Sequence, residues 1–193
     1  LPELVDRRRS ILRTAGPIPI RIWSAACSTG QEVYSIAIVL HEVLGDLSRY
    51  NIRLVGTDIS DKAVATASKG IFGRIEMDRG LAGSQSLKYF EAAGKDQWKV
   101  RDEVRALATF RQINLLEDFT ALGRFDIVFC RNVAIYFTDT DRASLFTRIG
   151  RSLERDGCLV IGSTESLATI CPQYESKRHL RSVFYQHKPP VAA

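Results

Sequence analysis

The sequence predicts an α/β protein: a parallel sheet covered by helices, interrupted by a small antiparallel β insertion. Three observations predict it. Short apolar runs alternate along the chain with stretches of helical period, the pattern of strand–helix–strand units. That pattern breaks between residues 71 and 111, where Gly73, Gly80, Gly83 and Gly94 punctuate the chain. Nowhere do 18 apolar residues run together, so no segment reads as a membrane-spanning helix.

The first dozen residues are basic, with an apolar spacing at Leu4, Val5, Ile11 and Leu12. They read as a short helix ended by Gly16-Pro17 and Pro19. Residues 20–25 are the first strand. Residues 30–44 carry Ile36, Ala37, Val39, Leu40, Val43 and Leu44 at helical spacing. Residues 52–58 form the second strand, and a helix follows from Ser60 to about Lys69. In the aperiodic region, 84–93 looks helical, while 97–101 and 106–111 look like a hairpin around a charged turn. Phe125–Cys130 is a buried strand. Residues 139–153 place Leu145, Phe146, Ile149 and Leu153 on one helical face. Residues 158–162 are another strand, and 183–187 the last, pairing with an extended stretch near 174–180.

The 193 residues suit one domain, and 45% hydrophobic with 25% charged residues is the balance of a globular chain, not a disordered one. Lys and Arg total 27 against 22 Asp and Glu, giving +5, which favours anionic partners. The first residues lack the apolar core of a signal peptide, and the absence of an initiator Met reads as a fragment or processed product. Cys27, Cys130, Cys158 and Cys171 form no C-x-x-C pair, which argues against zinc; three lie in or beside apolar runs, as reduced cysteines in the cytoplasm do.

In parallel α/β sheets ligands bind beyond the carboxyl ends of the strands. The loops after Ala25, Asp58, Cys130 and Gly162 are therefore where chemistry is expected. The first, Ala25-Ala26-Cys27-Ser28-Thr29-Gly30, has only the last glycine of a dinucleotide fingerprint and no G-K-[ST]. It suits a nucleoside without a pyrophosphate, of which S-adenosylmethionine is the commonest on this architecture. Glu32 has two readings: the acid of a capping box with Thr29, or a carboxylate facing the loop to hold an ammonium group. Asp58 ends the second strand, where an acid accepts hydrogen bonds from ribose hydroxyls. Its alternative role as a helix cap falls better to Ser60.

Residues 21–35, R-I-W-S-A-A-C-S-T-G-Q-E-V-Y-S, resemble the signature loop of the chemotaxis-receptor methyltransferases of the CheR type. Gly56-Thr57-Asp58-Ile59-Ser60, Asn114-Leu115-Leu116, the segment from Phe125 to Phe137 with its C-R-N-V-A-I-Y-F, and Gly162-Ser163-Thr164-Glu165-Ser166-Leu167 resemble the family's later motifs, in its order. The resemblance spans residues 21 to about 188. It implies a Rossmann-like class I S-adenosylmethionine-dependent methyltransferase sheet, with a small β subdomain inserted at about 95–112. The whole chain, 1–193, would be the catalytic domain, without the family's N-terminal helical domain. The implied reaction moves a methyl group from S-adenosylmethionine to glutamates of a membrane chemoreceptor, leaving S-adenosylhomocysteine and a glutamate methyl ester. No metal is implied.

Carried over residue by residue, Glu32 meets the donor's amino group and Asp58 its ribose. Asn114 and Leu115 flank the adenine, and Arg131 and Asn132 line the methionine end. Val33 replaces the usual Pro, Gln31 a common Glu, and Phe72 a common Tyr, whose hydroxyl contact is then missing. Free Glu has a pKa of about 4.3, so the acceptor is ionised near neutral pH and no general base is required. That agrees with the lack of a Ser-His-Asp set; His41, His179 and His187 fall outside the expected loops. Arg131, or Arg7, Arg8, Arg9 and Arg13, are candidates to orient the acceptor, and Tyr136 to line its pocket.

The expected partner is the cytoplasmic domain of a chemoreceptor, with neither nucleic acid nor membrane insertion. Some family members grip a pentapeptide at the receptor's C-terminal end through the β subdomain. Here the segment Glu91–Trp98 looks about three residues shorter than in those members and has one glycine, so the tether is expected not to bind. Two rivals remain. A nucleic-acid methyltransferase usually carries an N-P-P-Y-like turn, where this chain has Arg131-Asn132-Val133-Ala134. A non-catalytic S-adenosylmethionine-binding module, or another protein methyltransferase, is the other.

Overall fold

The computed structural model describes residues 5–6, 16–80, 88–179 and 182–188. Residues 5 and 6 are helical; the rest of the expected first helix, with Arg7, Arg8, Arg9 and Arg13, lies outside the described residues. The main sheet is built from β1 (Ile18–Ala25), β2 (Tyr50–Asp58), β6 (Ala108–Gln112), β7 (Phe125–Cys130), β8 (Leu153–Ile161), β9 (Tyr174–His179) and β10 (Ser182–His187). Their spatial order is β6-β2-β1-β7-β8-β10-β9. β1 pairs in parallel with β2 and β7, β2 with β6, and β7 with β8. β10 runs antiparallel to β8 and β9. Strand order reverses at β1, whose register sets Ala25 beside Thr57 and Cys130. The loops after β1, β2 and β7 therefore leave the sheet side by side.

β1 shows why the sheet is covered twice. Trp23 and Ala25 pack into one core cluster, with Phe119, Phe125, Leu145, Phe146 and Ile149. Ile20 and Ile22 pack into the other, with Val33, Tyr34, Ala37 and Ile38. Alternate residues of a strand face opposite ways, so a strand that buries apolar side chains on both faces needs a layer on each side. Helix α1 (Gln31–Leu44) supplies one layer and α5 (Asp139–Arg151) the other. α5 starts at Thr138, whose hydroxyl accepts the Asp141 amide at 3.2 Å. Asp139 and Asp141 lie in its first turn and Arg148 and Arg151 in its last, each charge at the helix end that favours it. Helix α2 (Asp61–Lys69) is capped by Ser60, as expected, through the Ala63 amide.

The small antiparallel sheet exists, but its composition corrects the expected hairpin. Its order is β3 (Ile71–Gly73), β5 (Gln97–Val100), β4 (Phe90–Gly94). Residues 106–111 do not pair with 97–101. A short helix, α4 (Asp102–Arg105), carries the chain back, and Ala108–Gln112 becomes the edge strand of the main sheet. The insertion is thus made of segments on both sides of 81–87 and does not run to 112. The expected helix over 84–93 is corrected as well: 90–93 are strand, and 81–87 lie outside the described residues. Phe72 is buried, edge-on to Tyr34 and Phe90. Helix α3 (Arg74–Gly80) follows β3, and its Glu76 accepts a hydrogen bond from Gln31 at 2.7 Å.

No described helix is long and apolar enough to cross a membrane, and no cluster of three metal-ligating side chains occurs among the described residues. All four cysteines are free thiols.

Candidate donor-binding site

The loop after β1 is tightly wound. Ala26, Ser28 and Gly30 have φ of 55°, 51° and 95°, all in the left-handed region. For Ala and Ser this is strained backbone, of the kind that surroundings must enforce. The enforcing contacts come from β2. The Cys27 amide donates to the Thr57 carbonyl at 2.8 Å, and the Ser28 amide to Asp58 Oδ2 at 2.8 Å. Gly30 is the N-cap of α1, and a Cβ there would sit 2.9 Å from the Ala67 Cβ. Only glycine fits both that space and that φ.

Glu32 does not form a capping box; α1 has no side-chain cap. Its Oε1 accepts from the buried Ser24 hydroxyl at 2.8 Å, and its Oε2 from Arg131 at 2.9 Å. The carboxylate thus faces the carboxyl ends of β1 and β7. Two oppositely charged groups, 22% and 46% exposed, meet there across 99 residues of sequence. Such a pair is complementary to an α-amino acid, whose ammonium matches Glu32 and whose carboxylate matches the Arg131 guanidinium. A carboxylate has about four acceptor sites, so two remain on Glu32.

Asp58 accepts one backbone amide on each oxygen: Ser28 on Oδ2, and Ser60 on Oδ1 at 3.0 Å. Two acceptor sites remain for the two hydroxyls of a ribose. Beyond it lies an open cleft of about 450 Å³, lined by Ile59, Gln112, Ile113, Asn114, Glu117 and Asp118. Asn114 shapes this wall: its Oδ1 accepts the Leu116 amide at 3.0 Å and its Nδ2 donates to Glu117 at 3.1 Å. Leu115 does not line the cleft. It is buried in the core cluster of Trp23 and Phe119, and its carbonyl accepts from Arg148 at 2.7 Å.

Asn132 follows Arg131 in the left-handed region, at φ 58°, and its amide donates to Glu165 at 3.0 Å. Tyr136 ends a single helical turn, Ala134–Tyr136, and is 80% exposed. It lies four residues beyond Asn132 and makes no part of the core. The rim thus carries three carboxylates, Glu32, Asp58 and Glu165, against Arg131, a balance that favours a cation. The thiols beneath feel it. Burial, then Asp58, pushes the Cys27 thiol up to about 12. Burial, then Glu165 and Glu32, pushes the Cys130 thiol up as well. Neither cysteine is a nucleophile at neutral pH. His41, His179 and His187 sit on α1, β9 and β10, and none belongs to the loops after β1, β2, β7 or β8.

The sequence-expected residues therefore fall into three groups along one rim: Glu32 with Arg131 and Asn132, Asp58 with the β1 loop, and Asn114 at the cleft. Two contributors were not singled out from sequence. Ser24, a hydroxyl inside an apolar strand run, was one available signal. Glu165 lies in the Gly162–Leu167 motif, which by itself carries no signal for its contacts.

A profile described as "CheR methyltransferase, SAM binding domain" matches residues 3–183. Chemotaxis protein methyltransferase 1 of Pseudomonas aeruginosa is 35% identical over 192 residues, covering 97% of this chain and 67% of that protein. The protein of the same name from Vibrio cholerae is 36% identical over 190 residues, covering 97% of this chain and 66% of that one. The chain thus spans about two thirds of the length of these relatives. Among solved structures, a TehB-like SAM-dependent methyltransferase from Corynebacterium glutamicum superposes with a TM-score of 0.52 at 14% identity, covering 94% of this chain and 86% of that one, a likeness of fold. With a family match over nearly the whole chain and relatives at about 35% identity, the chain belongs to the CheR family of S-adenosylmethionine-binding methyltransferase domains.

Proposed function

We propose that the protein transfers a methyl group from S-adenosylmethionine to glutamate side chains in the cytoplasmic domain of a chemoreceptor. The products are the glutamate methyl ester and S-adenosylhomocysteine. The observation that supports this most is the Glu32–Arg131 pair at the carboxyl ends of β1 and β7, 2.9 Å apart. It offers the two charges that an amino-acid end requires, beside an acid at Asp58 and a cleft that fits a base.

In this reading Glu32, held by Ser24, binds the donor's ammonium, and Arg131 with Asn132 binds along its methionine end. Asp58 binds the ribose hydroxyls, and Asn114 shapes the wall beside the adenine. Leu115 supports that wall from the core. When bound, S-adenosylmethionine supplies an electrophilic methyl group on a sulfonium. The acceptor carboxylate is already ionised near neutral pH, so the protein moves no proton. Its task is alignment, which is catalysis by proximity. Arg131 and the exposed Tyr136 stand on the loop after β7, where an acceptor side chain approaches, and orient its carboxylate. The net charge of +5 favours encounter with an acidic receptor helix.

The test is a competition. The full-length enzyme is incubated with tritiated-methyl donor, a receptor cytoplasmic domain, and DNA or RNA in the same tube. Label on receptor glutamates supports the proposal; label on nucleic acid overturns it.

A further inference from the structure

Glu165 lies in the loop after β8 and makes contacts that the donor-binding reading does not use. Its Oε2 accepts two backbone amides, Gly162 at 2.7 Å and Asn132 at 3.0 Å. Those amides belong to different loops, after β8 and after β7. Its Oε1 is buried and has no hydrogen-bond partner among the described residues. Gly162 is fitted to this arrangement. A Cβ there would lie 2.5 Å from Glu165 Oε2 and 3.0 Å from Asn132 Nδ2, so any larger residue would expel the carboxylate.

The contact falls where the backbone needs holding. Asn132 sits at φ 58°, a conformation that costs free energy unless its surroundings enforce it. The residue before it is Arg131, whose guanidinium reaches Glu32. The direction in which Arg131 leaves β7 is set by the turn that Asn132 makes. An anionic acceptor on the Asn132 amide is a strong, charge-assisted tether for that turn.

We propose that Glu165 is a positioning residue: it clips the turn after β7 to the loop after β8, and so aims Arg131 at the donor's amino-acid end. It touches neither donor nor acceptor in this account; it acts through Asn132 and Arg131. The proposal rests on the reading in which Arg131 and Glu32 hold that end.

The experiment uses two probes on the full chain, S-adenosylhomocysteine and 5′-methylthioadenosine. They share the nucleoside and differ in the amino-acid end. Affinities are measured by calorimetry for wild type, Glu165→Ala, Glu165→Gln and Arg131→Ala, with melting temperatures as a check of folding. Glu165→Ala should bind S-adenosylhomocysteine about tenfold more weakly while binding methylthioadenosine within about twofold of wild type. Glu165→Gln keeps an oxygen that accepts both amides and should stay within about threefold on either probe. Equal losses on the two probes would mean a general structural role, and no loss on either would mean no role; both overturn the proposal. If Arg131→Ala also leaves S-adenosylhomocysteine binding unchanged, the underlying reading of the site fails too. If Arg131→Ala loses selectivity and Glu165→Ala does not, the positioning role fails alone. Should Glu165→Ala not fold, a Glu165→Gln variant that loses S-adenosylhomocysteine selectively by more than about tenfold would overturn the assigned role of the two amide contacts.

Discussion

Removing the Glu32 carboxylate should separate binding from stability. The Glu32–Arg131 pair is 22% and 46% exposed, and partly solvated pairs of this kind contribute only about 0–1 kcal/mol to folding. In a chain of 193 residues that shifts the melting temperature by at most about 4 °C. Donor binding depends on the same group far more. A hydrogen bond between an ammonium and a carboxylate contributes about 1.5–3 kcal/mol, so Glu32→Ala should weaken S-adenosylhomocysteine binding by about ten- to a hundredfold. Glu32→Gln keeps an acceptor for Ser24 but not the charge. Neutral hydrogen bonds are about half as strong, which predicts a loss of about three- to tenfold. The assay is titration calorimetry of the three proteins, with thermal melts alongside. If both variants bind like wild type, Glu32 does not face the donor. If Glu32→Ala instead lowers the melting temperature by about 10 °C, the carboxylate is a structural support of the fold.

Gly30→Ala should destabilise the fold by about 1–3 kcal/mol, because φ 95° and an Ala67 Cβ at 2.9 Å both oppose a side chain; chemical denaturation measures it. Cys27 should resist alkylation in the native protein. With its thiol pushed up to about 12, only about one molecule in ten thousand is thiolate near pH 8, so mass spectrometry should find it unmodified until the protein is denatured. A receptor-derived tethering pentapeptide should show no micromolar affinity. The segment from Glu91 to Trp98 is a hairpin in which β4 and β5 are joined by Lys95 and Asp96 alone, with a bulge between Ala92 and Gly94. Micromolar binding in calorimetry, lost on deletion of the hairpin, would contradict this.

The main sheet was legible because its central strands β1 and β7 are apolar except at Arg21, Ser24 and Asp126, and its long helices keep a helical period. Phe125–Cys130 and Gln31–Leu44 fall within one residue of the expected bounds. The insertion was not legible for a definite reason. β3 is three residues long, too short for any period, and it pairs with β5 across 24 or more residues of sequence. Residues 106–111 read as extended from sequence, but an extended segment suits a hairpin and the edge of the main sheet beside β2 equally. Glu32 shows the same limit at the scale of one side chain. Spacing to Thr29 allowed a local cap, whereas Ser24 and Arg131 win it from the strand ends. A motif match does not say which way a side chain points, and that of Leu115 faces the core. The strain at Ala26 and Ser28 left no trace in residue type, since neither is glycine or asparagine.

The central claim is methyl transfer to a glutamate carboxylate by a site that needs no base. Its most direct measurement is peptide mass spectrometry of a receptor cytoplasmic domain after incubation with the full-length enzyme and S-adenosylmethionine. The account predicts a single methyl increment on glutamate residues, removed by mild base as an ester is, and lost when those glutamates are replaced by alanine. Methylation that survives base, or that appears on lysine, arginine or nucleic acid in place of glutamate, would contradict it.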